Sequence, residues 1–337
     1  MTEPFSSFMQ RALYDPQRGY YTARIKTVGA RGDFSTSATL STLLGQAVAR
    51  WLLDEARQTG VRTIIEVGGG DGSLMSAVLA GLGWWQRRGF QVFMVDASPI
   101  LLQQQKQRLG RRVKAWFGTL PEALAACAGE ALIFNNELLD AFPVEIVQAR
   151  DNAWHEVWLH HEAGAITEEL RPLTHPEEPY RVLQVKPAGR CELHTAVHGW
   201  LAHWMPGWKK GAMLTIDYGD LFPTLYHRRP RGTLRGYLMQ QCLTGPEVYL
   251  NPGRQDITCD VNFTDVRAWL AALGAQETSF ETQANFIRRL APVPGSARDA
   301  FVTHEQGAGS AFKCLAVRRS PVAMATNSGE GKTLSRT

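Results

Sequence analysis

The stretch that decides the fold is TIIEVGGGDG, residues 63–72. Its first five residues form a short β-branched run, which predicts a buried strand. Glycines follow at positions 68, 69, 70 and 72, where they permit a tight turn and let a ligand approach the backbone closely. A helical run begins directly after them, and the amino end of a helix attracts a carboxylate or a phosphate. The segment therefore predicts a strand, a glycine turn and a helix around an anionic group, with a purely structural turn as the alternative.

Strands and helices alternate along the chain after this turn. Strands are predicted at FQVFMVDAS, VKAWFG, ALIFNNE and AMLTIDYG, with helical runs such as PILLQQQKQRL between them. This alternation predicts an α/β fold with a Rossmann-like, mostly parallel, doubly wound sheet. Such sheets bind ligands at the carboxyl ends of their strands, so we expect the functional site there.

The remaining segments indicate three parts of the chain. Residues 1–62 are predicted to be an N-terminal helical segment, with an amphipathic helix over 5–14, followed by a Gly- and Thr-rich loop. The Rossmann-like domain is predicted over 63–319, with insertions near 144–190 and 221–260. Residues 320–337 are rich in Ser, Thr, Gly and Asn, which predicts a disordered tail.

The composition is that of an ordinary globular protein. The 337 residues carry a net charge of +4 without basic blocks, which we interpret as too weak to indicate nucleic acid or an anionic membrane as a partner. No apolar run approaches the roughly 20 residues that cross a bilayer, and the first ten residues lack a signal pattern. Scattered cysteines without CxxC spacing are typical of a reduced compartment. We therefore expect a cytoplasmic protein without stable membrane insertion.

Two acids accompany the glycine turn. A dinucleotide fingerprint requires glycine at position 73, which is Ser73, so a nicotinamide-dependent dehydrogenase is disfavoured. The ExGxGxG form, with Glu66 on the strand, instead suits a sulfonium cofactor whose methionine end is a zwitterion. Asp96 ends the next predicted strand, where a carboxylate accepts the ribose hydroxyls, unless it caps the following helix. The pattern favours S-adenosylmethionine as the ligand.

A third cluster lies in FNNELLDAFPV, after the fourth predicted strand. Asn135, Asn136, Glu137 and Asp140 bring polar groups to the end of the sheet, and each needs a partner if it is buried. The asparagines are suited to hold cofactor or substrate, while the two acids are placed to bind a cationic acceptor. The alternative is a helix N-cap with surface acids.

Several segments in a fixed order resemble the MidA-like family of S-adenosylmethionine-dependent methyltransferases. They are FMQRALYDPQRGYYT, GDFSTSA, IIEVGGGDGSL, VDASPILLQQQ, NNELLDAFPV, TIDYG, GTLRGY, NPGRQDITCDVNFT and QANF, and they span about residues 5–317. The resemblance implies a class I methyltransferase fold with S-adenosylmethionine as donor. The family includes a mitochondrial protein arginine methyltransferase that assists respiratory complex I assembly, which implies a protein acceptor.

The resemblance and the motifs together give the predicted site. The GDFSTSA segment is expected to cover the cofactor. The predicted cofactor-binding residues are Phe34, Thr36, Glu66, Gly68, Gly70, Asp96, Ala97, Ser98, Gly118, Asn135 and Asn136. The predicted catalytic residues are Glu137, Asp140 and, on the second insertion, Asp256, whose carboxylates would hold an arginine guanidinium.

No metal is needed for an in-line methyl displacement, which depends on holding nucleophile, carbon and sulfur in line. Cys191, His194 and His198 have a spacing compatible with one helix face and with zinc, but a fourth ligand is not apparent. The tryptophans are interpreted as core or partner-facing residues rather than a base-stacking platform. They include Trp84, Trp85, Trp154, Trp158, Trp200, Trp204 and Trp208.

The sequence thus favours methylation of a protein arginine by a bacterial, cytoplasmic enzyme, with a respiratory complex I subunit as one partner. Methylation of a small molecule and a cofactor-binding scaffold without turnover stay open. Family acids expected after TS and after Gly45 are replaced by Thr39 and Gln46, which leaves acceptor binding undecided. The acceptor, the number of methyl groups and the oligomeric state, a homodimer among the options, are not determined by the sequence.

Overall fold

A computed structural model of the chain describes residues 1–25, 42–162, 164–174, 180–227, 229–292, 295–296, 299–300, 303–304 and 308–320. The helices are α1 (Phe5–Tyr14), α2 (Leu43–Thr59), α3 (Ser73–Gly81), α4 (Gly83–Arg87), α5 (Pro99–Leu109), α6 (Leu120–Ala126), α7 (Thr195–Trp204), α8 (Phe263–Ala272), α9 (Gln283–Leu290) and α10 (Ala308–Ala311).

The strands are β1 (Thr2–Pro4), β2 (Thr63–Val67), β3 (Gln91–Val95), β4 (Ala115–Phe117), β5 (Glu130–Asn136), β6 (Glu145–Arg150), β7 (Ala153–Glu162), β8 (Ala165–Pro172), β9 (Arg190–Leu193), β10 (Lys210–Asp220), β11 (Arg235–Leu238), β12 (Gln241–Leu243), β13 (Asp256–Thr258), β14 (Val261–Asn262), β15 (Gln276–Thr282) and β16 (Phe312–Arg319).

An eight-stranded sheet forms the centre of the protein, in the order β15-β16-β10-β5-β2-β3-β4, with β14 paired to β10. The strands β10, β5, β2, β3 and β4 are parallel. The strand β16 pairs with β10 and with β15, and both pairings are antiparallel. Helical connections join the parallel strands, as parallel pairing requires. The predicted α/β fold with a mostly parallel, doubly wound sheet is confirmed.

Helices cover both faces of this sheet. Ile64 and Leu132 point to one face and pack with residues of α2 and α3. Their neighbours in the chain, Ile65 and Ile133, point to the other face and pack with residues of α6, α7 and α8. Successive side chains of a strand point to opposite faces, so a strand buried on both sides needs a continuous apolar run.

Two smaller antiparallel sheets interrupt the central one. In the first, β1, β7, β6 and β9 are neighbours in that order and β8 pairs with β7; the second consists of β12, β11 and β13. The helix predicted over residues 5–14 is confirmed as α1, and its face of Phe5, Phe8, Met9 and Leu13 packs in a third core formed with both small sheets. Strands β6, β7 and β8 lie in the first predicted insertion and β11, β12 and β13 in the second, whereas β1 precedes α1 and β9 begins where the first insertion was predicted to end.

Two helix predictions need correction or restriction. The helical run predicted directly after the glycine turn is divided into α3 and α4, because Gly83 has φ +69 and interrupts the helical backbone. In the predicted N-terminal segment, the second helix begins at Leu43, and residues 26–41 lie outside the described residues, as does the predicted tail beyond Ser320. Within the described ranges, no helix is long and apolar enough to cross a membrane.

Candidate cofactor and acceptor site

A cavity of about 760 Å³ lies at the carboxyl ends of β2, β3 and β5. Its volume is within the range of small-molecule sites, roughly 300–1,000 Å³. The chain passes from β2 to β3 on one side and returns on the other side of β2 as β5, so the strand order reverses at this point. Such reversals open the crevice in which α/β sheets bind ligands.

The glycine turn forms one wall of the cavity. Gly68 has φ +67 and Gly70 has φ +52, a left-handed conformation that costs other residues about 1–2 kcal/mol. A Cβ atom on Gly68 would lie 2.7 Å from Cδ1 of Leu138 across the cavity wall. The Gly68 amide donates a hydrogen bond to the carbonyl of Val95, 2.8 Å away, which ties the turn to the end of β3. The turn thus presents backbone, without side chains, to a ligand.

Behind this turn, Glu66 is a buried acid that is 2% exposed. Burial raises its pKa well above the usual range, and the nearby charges of Asp96 and Asp71 add to the increase. Its Oε2 atom has no hydrogen-bond partner among the described residues. A buried, unpaired carboxylate oxygen is costly, so its place on the cavity wall indicates that a ligand or water completes it.

Asp96 lies on the cavity wall at the end of β3 and is 7% exposed. Its Oδ1 accepts from the amide of Ser98 at 2.9 Å, and its Oδ2 accepts from Nε2 of Gln105 at 2.9 Å. Burial raises the pKa of Asp96 to about 6, and both hydrogen bonds oppose that increase. At neutral pH the carboxylate is therefore ionised, and each oxygen keeps a lone pair for a hydroxyl donor.

Gln105 is the residue that the sequence reasoning missed. Its Nε2 also donates to the carbonyl of Gly70 at 2.9 Å, so one buried amide holds both the glycine turn and Asp96. On α5 it shares the buried stripe with Leu101 and Leu109. The sequence pattern that points to Gln105 is a glutamine between two leucines of an apolar i, i+4, i+8 stripe. A buried amide needs hydrogen-bond partners, so this position predicts a structural role.

The other predicted cofactor-binding residues lie at different places. Ala97, Ser98, Gly118 and Asn136 line the cavity. Asn135 does not line it; this residue is fully buried, and its Nδ2 donates to Oγ1 of Thr215 at 3.2 Å. Phe34 and Thr36 lie outside the described residues.

Among the three predicted catalytic acids, Glu137 lines the cavity directly. Its φ of +53 is rare for a residue with a side chain, and such backbone strain is concentrated at functional sites. Its amide donates to the carbonyl of Ile216 at 2.9 Å, and its Oε1 accepts from Nδ2 of Asn136 at 3.0 Å. The ends of β5 and β10 thus hold this carboxylate in place.

The turn after Glu137 is fixed by Asp217, which lies in β10. Its Oδ2 accepts from the amides of Leu138 and Leu139 at 3.1 and 2.8 Å, and its Oδ1 accepts from the amide of Tyr218 at 2.9 Å. Asp217 is fully buried and does not line the cavity. Its contacts are those of a cap that positions the Glu137 turn.

Asp140 and Asp256 stand behind the cavity wall rather than on it. Both are buried, at 6% and 5% exposure. Oδ2 of Asp140 accepts from Oγ1 of Thr258 at 2.8 Å, and Oδ1 of Asp256 accepts from the hydroxyl of Tyr21, itself a wall residue, at 2.8 Å. Burial raises the pKa of Asp140 to about 6 and that of Asp256 to about 7, with repulsion from Asp140 adding to the latter.

The residues considered for zinc lie on different elements, so the one-face interpretation of their spacing is wrong. Cys191 is in β9, whereas His198 is in α7 and packs its ring 4.8 Å from that of Trp269. His194 precedes α7, its Nε2 lies 3.2 Å from the carbonyl of Asp260, and burial lowers its pKa to about 4. In the part of the chain that the structure describes, no three His, Cys, Asp or Glu side chains are arranged for a metal ion.

Comparison with known proteins gives the family of the chain. A family model described as "Putative S-adenosyl-L-methionine-dependent methyltransferase" matches residues 47–280. The chain belongs to this family. The resemblance to the MidA-like methyltransferases and the expected donor of the family, S-adenosylmethionine, are thereby confirmed.

Curated relatives of this methyltransferase family member are mitochondrial. A protein of Drosophila melanogaster named protein arginine methyltransferase NDUFAF7 homolog is 29% identical over 78% of this chain and 65% of its own length. The protein arginine methyltransferase NDUFAF7 of Xenopus tropicalis is 26% identical over 78% of this chain and 66% of its own length. The chain thus spans slightly less than two thirds of these relatives.

Solved structures of the family share the fold. One solved structure is that of a superfamily member and "likely methyl transferase" from Burkholderia thailandensis bound to S-adenosyl-homocysteine. It has a TM-score of 0.83 and 29% identity, and the match covers 94% of this chain and 88% of that one. A native structure of a protein of the same superfamily and organism has a TM-score of 0.80 and 29% identity, over 94% and 87% of the two chains. The predicted class I methyltransferase fold is confirmed.

Proposed function

We propose that the protein transfers a methyl group from S-adenosylmethionine to an arginine side chain of a partner protein. The observation that carries the proposal is the placement of Glu137, a strained and hydrogen-bonded carboxylate, on the same cavity wall as the glycine turn and Asp96. The names of the mitochondrial relatives support an arginine acceptor. The family resemblance makes a respiratory complex I subunit the first partner to test.

The residues of the cavity wall are suited to bind S-adenosylmethionine, the methyl donor. Asp96 has lone pairs left for two ribose hydroxyls, and the side-chain-free backbone of Gly68 and Gly70 leaves room beside the amino end of α3 for a carboxylate. The bound S-adenosyl-homocysteine in the Burkholderia thailandensis relative supports the same ligand class here. The donor supplies an activated methyl group on a sulfonium; all other parts of the reaction depend on protein side chains.

The charge around the cavity suits two cations. A sulfonium and a guanidinium repel each other, so a site that joins them needs negative charge, which acts more strongly where water is excluded. Asp96 and Glu137 supply this charge on the wall and Asp140 lies behind it, whereas the raised pKa of the buried Glu66 favours its neutral form. This acidic lining favours a guanidinium over a neutral acceptor.

Glu137 has the role of orienting the guanidinium. A carboxylate binds two guanidinium nitrogens at once and draws the positive charge toward itself, which leaves the third nitrogen more nucleophilic. That nitrogen then forms a bond to the methyl carbon while the carbon–sulfur bond breaks with its electron pair going to sulfur. The nitrogen finally loses a proton to solvent water, and S-adenosyl-homocysteine would leave as the second product. Holding the atoms in line supplies most of the rate enhancement.

The test uses the full chain with methyl-labelled donor and a lysate from a strain that lacks the protein. We expect label in a protein, with methylated arginine found by mass spectrometry. Glu137→Gln should lower transfer by about 10²–10³-fold, the usual effect of losing one electrostatic partner of the transition state, with affinity for S-adenosyl-homocysteine unchanged. Glu130→Gln is the matched control, since Glu130 is exposed at the opposite end of β5.

Each other outcome contradicts a different part of the proposal. Label found only in small molecules would assign a small-molecule methyltransferase. Tight donor binding without label in any fraction would assign a scaffold. Normal transfer by the Glu137→Gln protein would remove Glu137 from the mechanism.

A further inference from the structure

Two adjacent tryptophans are exposed at the end of the sheet opposite to the cavity. Trp84 and Trp85 lie in α4, which precedes the start of β3, and their side chains are 51% and 78% exposed. A Cβ atom on Gly83, at the start of the same helix, would have no described atom within 4 Å. Single exposed apolar residues are common on protein surfaces, but two neighbouring indole rings indicate an interaction site.

The geometry of the pair argues against the stacking of nucleic acid bases. The two rings are 4.6 Å apart at an interplanar angle of 79°, so they offer no parallel faces. The guanidinium of Arg88 lies 3.5 Å from the centre of the Trp84 ring and covers one of its faces. Base stacking needs free ring faces, whereas an indole paired with a cation remains suited to an interface between apolar and charged groups.

Basic residues precede three neighbouring strands that start at the same edge of the sheet as the pair. The residues that precede β2, β3 and β4 include Arg62, Arg87, Arg88, Arg111, Arg112 and Lys114. Their contacts are with neutral groups: the Arg62 guanidinium lies 5.5 Å from the ring of Phe90, and Nζ of Lys114 donates to the Gln91 side chain at 3.0 Å. Arg112 donates to main-chain carbonyls. These charges are therefore available to an external anion.

The small net charge of +4 conceals this separation of charge. The carboxyl edge of the sheet holds the acids of the cavity, whereas the amino edge at β2, β3 and β4 is basic. The next strand, β5, starts with an exposed acid, Glu130, so the basic part of this edge ends at β2. Net charge, which by itself was too weak to indicate an anionic membrane, does not register how charge is distributed over the surface.

We infer that the amino edge of the sheet docks reversibly on an anionic lipid bilayer. The surface consists of Trp84, Trp85 and the six basic residues around them, and we call it the Trp-Arg edge. Tryptophan is enriched at membrane interfaces because its ring is apolar with one polar N–H, and clustered arginine and lysine side chains bind anionic headgroups. Docking here leaves the cavity, at the opposite edge, open to solvent and to a partner.

The experiment measures co-sedimentation of the full chain with vesicles of phosphatidylcholine and phosphatidylglycerol, and with vesicles of phosphatidylcholine alone. We expect binding to the anionic vesicles, a blue shift of tryptophan emission on binding, and release by added salt, which screens the charges. Trp84→Ala with Trp85→Ala should abolish the blue shift. Arg87→Gln with Arg88→Gln should weaken binding roughly 25-fold, at about fivefold for each cation removed.

The matched control is Arg231→Gln with Arg254→Gln, which removes the same charge from exposed positions of the second insertion. This control should bind vesicles like the wild type. All variants are first compared with the wild type in their affinity for S-adenosyl-homocysteine, so that loss of fold is separated from loss of docking. The result does not depend on which acceptor the enzyme methylates.

Three results would overturn the inference. They are equal binding to both kinds of vesicle, unchanged binding of the double tryptophan variant, and equal weakening by the control pair. Binding to soluble polyglutamate with no binding to vesicles would instead assign an acidic protein to the Trp-Arg edge.

Discussion

Replacing Gln105 by leucine tests how the site keeps its ribose-binding acid ionised. The amide of Gln105 donates to Oδ2 of Asp96 and to the carbonyl of Gly70, both at 2.9 Å. Leucine fills a similar volume on the buried stripe of α5 but donates no hydrogen bond. The variant therefore removes one stabilising partner of the charged form of Asp96 while keeping its burial.

The expected change in the pKa of Asp96 follows from the strength of the hydrogen bond that is removed. A hydrogen bond to a charged group contributes about 1.5–3 kcal/mol, and about 1.4 kcal/mol corresponds to one pH unit. The pKa of Asp96, about 6 in the wild type, should therefore rise by roughly one to two pH units in the variant. Donor binding uses the ionised carboxylate, so affinity is present above this pKa and is lost as the pH falls through it.

Isothermal calorimetry with S-adenosyl-homocysteine between pH 5 and 9 measures the effect. The wild type should lose affinity below about pH 6. Gln105→Leu should lose it already below about pH 7–8, so that affinity at neutral pH falls about two- to tenfold and recovers at pH 9. Gln103→Leu, at an exposed position of the same helix, is the control and should follow the wild type. A folded Gln105→Leu protein with the wild-type pH profile would refute the reasoning.

Two further substitutions test the backbone around the cavity. Gly68→Ala introduces a Cβ atom at φ +67, so the free energy of unfolding should fall by about 1–2 kcal/mol. The affinity for the donor should fall as well. Unchanged affinity in calorimetry would exclude close approach of the donor to this turn. Asp217→Ala leaves the buried amides of Leu138 and Leu139 unpaired, so urea denaturation should show a loss of about 2–3 kcal/mol, and a loss below about 0.5 kcal/mol would contradict the cap.

The acidic cluster shows how the structure separates residues that look alike in the sequence. Glu137 and Asp140 are three positions apart in one motif. Glu137 lies on the cavity wall, whereas Asp140 is buried and accepts a hydrogen bond from Thr258. A 3-10 turn, Leu139–Ala141, begins between them and directs the two side chains to different sides. We therefore expect substitution of Asp140 to change stability more than substrate binding.

The sequence by itself determined the sheet, the glycine turn and the position of Asp96 at a strand end. These features depend on local patterns: apolar runs of strand length, glycine where the backbone needs positive φ, and polar residues where strands end. The same patterns located Glu137 at the end of β5. Each of these residues is recognisable from neighbours within a few positions of the chain.

Only the tertiary structure decided which side chains meet. Tyr21 reaches Asp256 across 235 positions of the chain, and Gln105 reaches Gly70 across 35. The basic starts of three strands come together beside Trp84 only because the sheet aligns them. Local periodicity indicates which face of a helix or strand is buried, but not which distant segment covers it, because that depends on the packing of the whole chain.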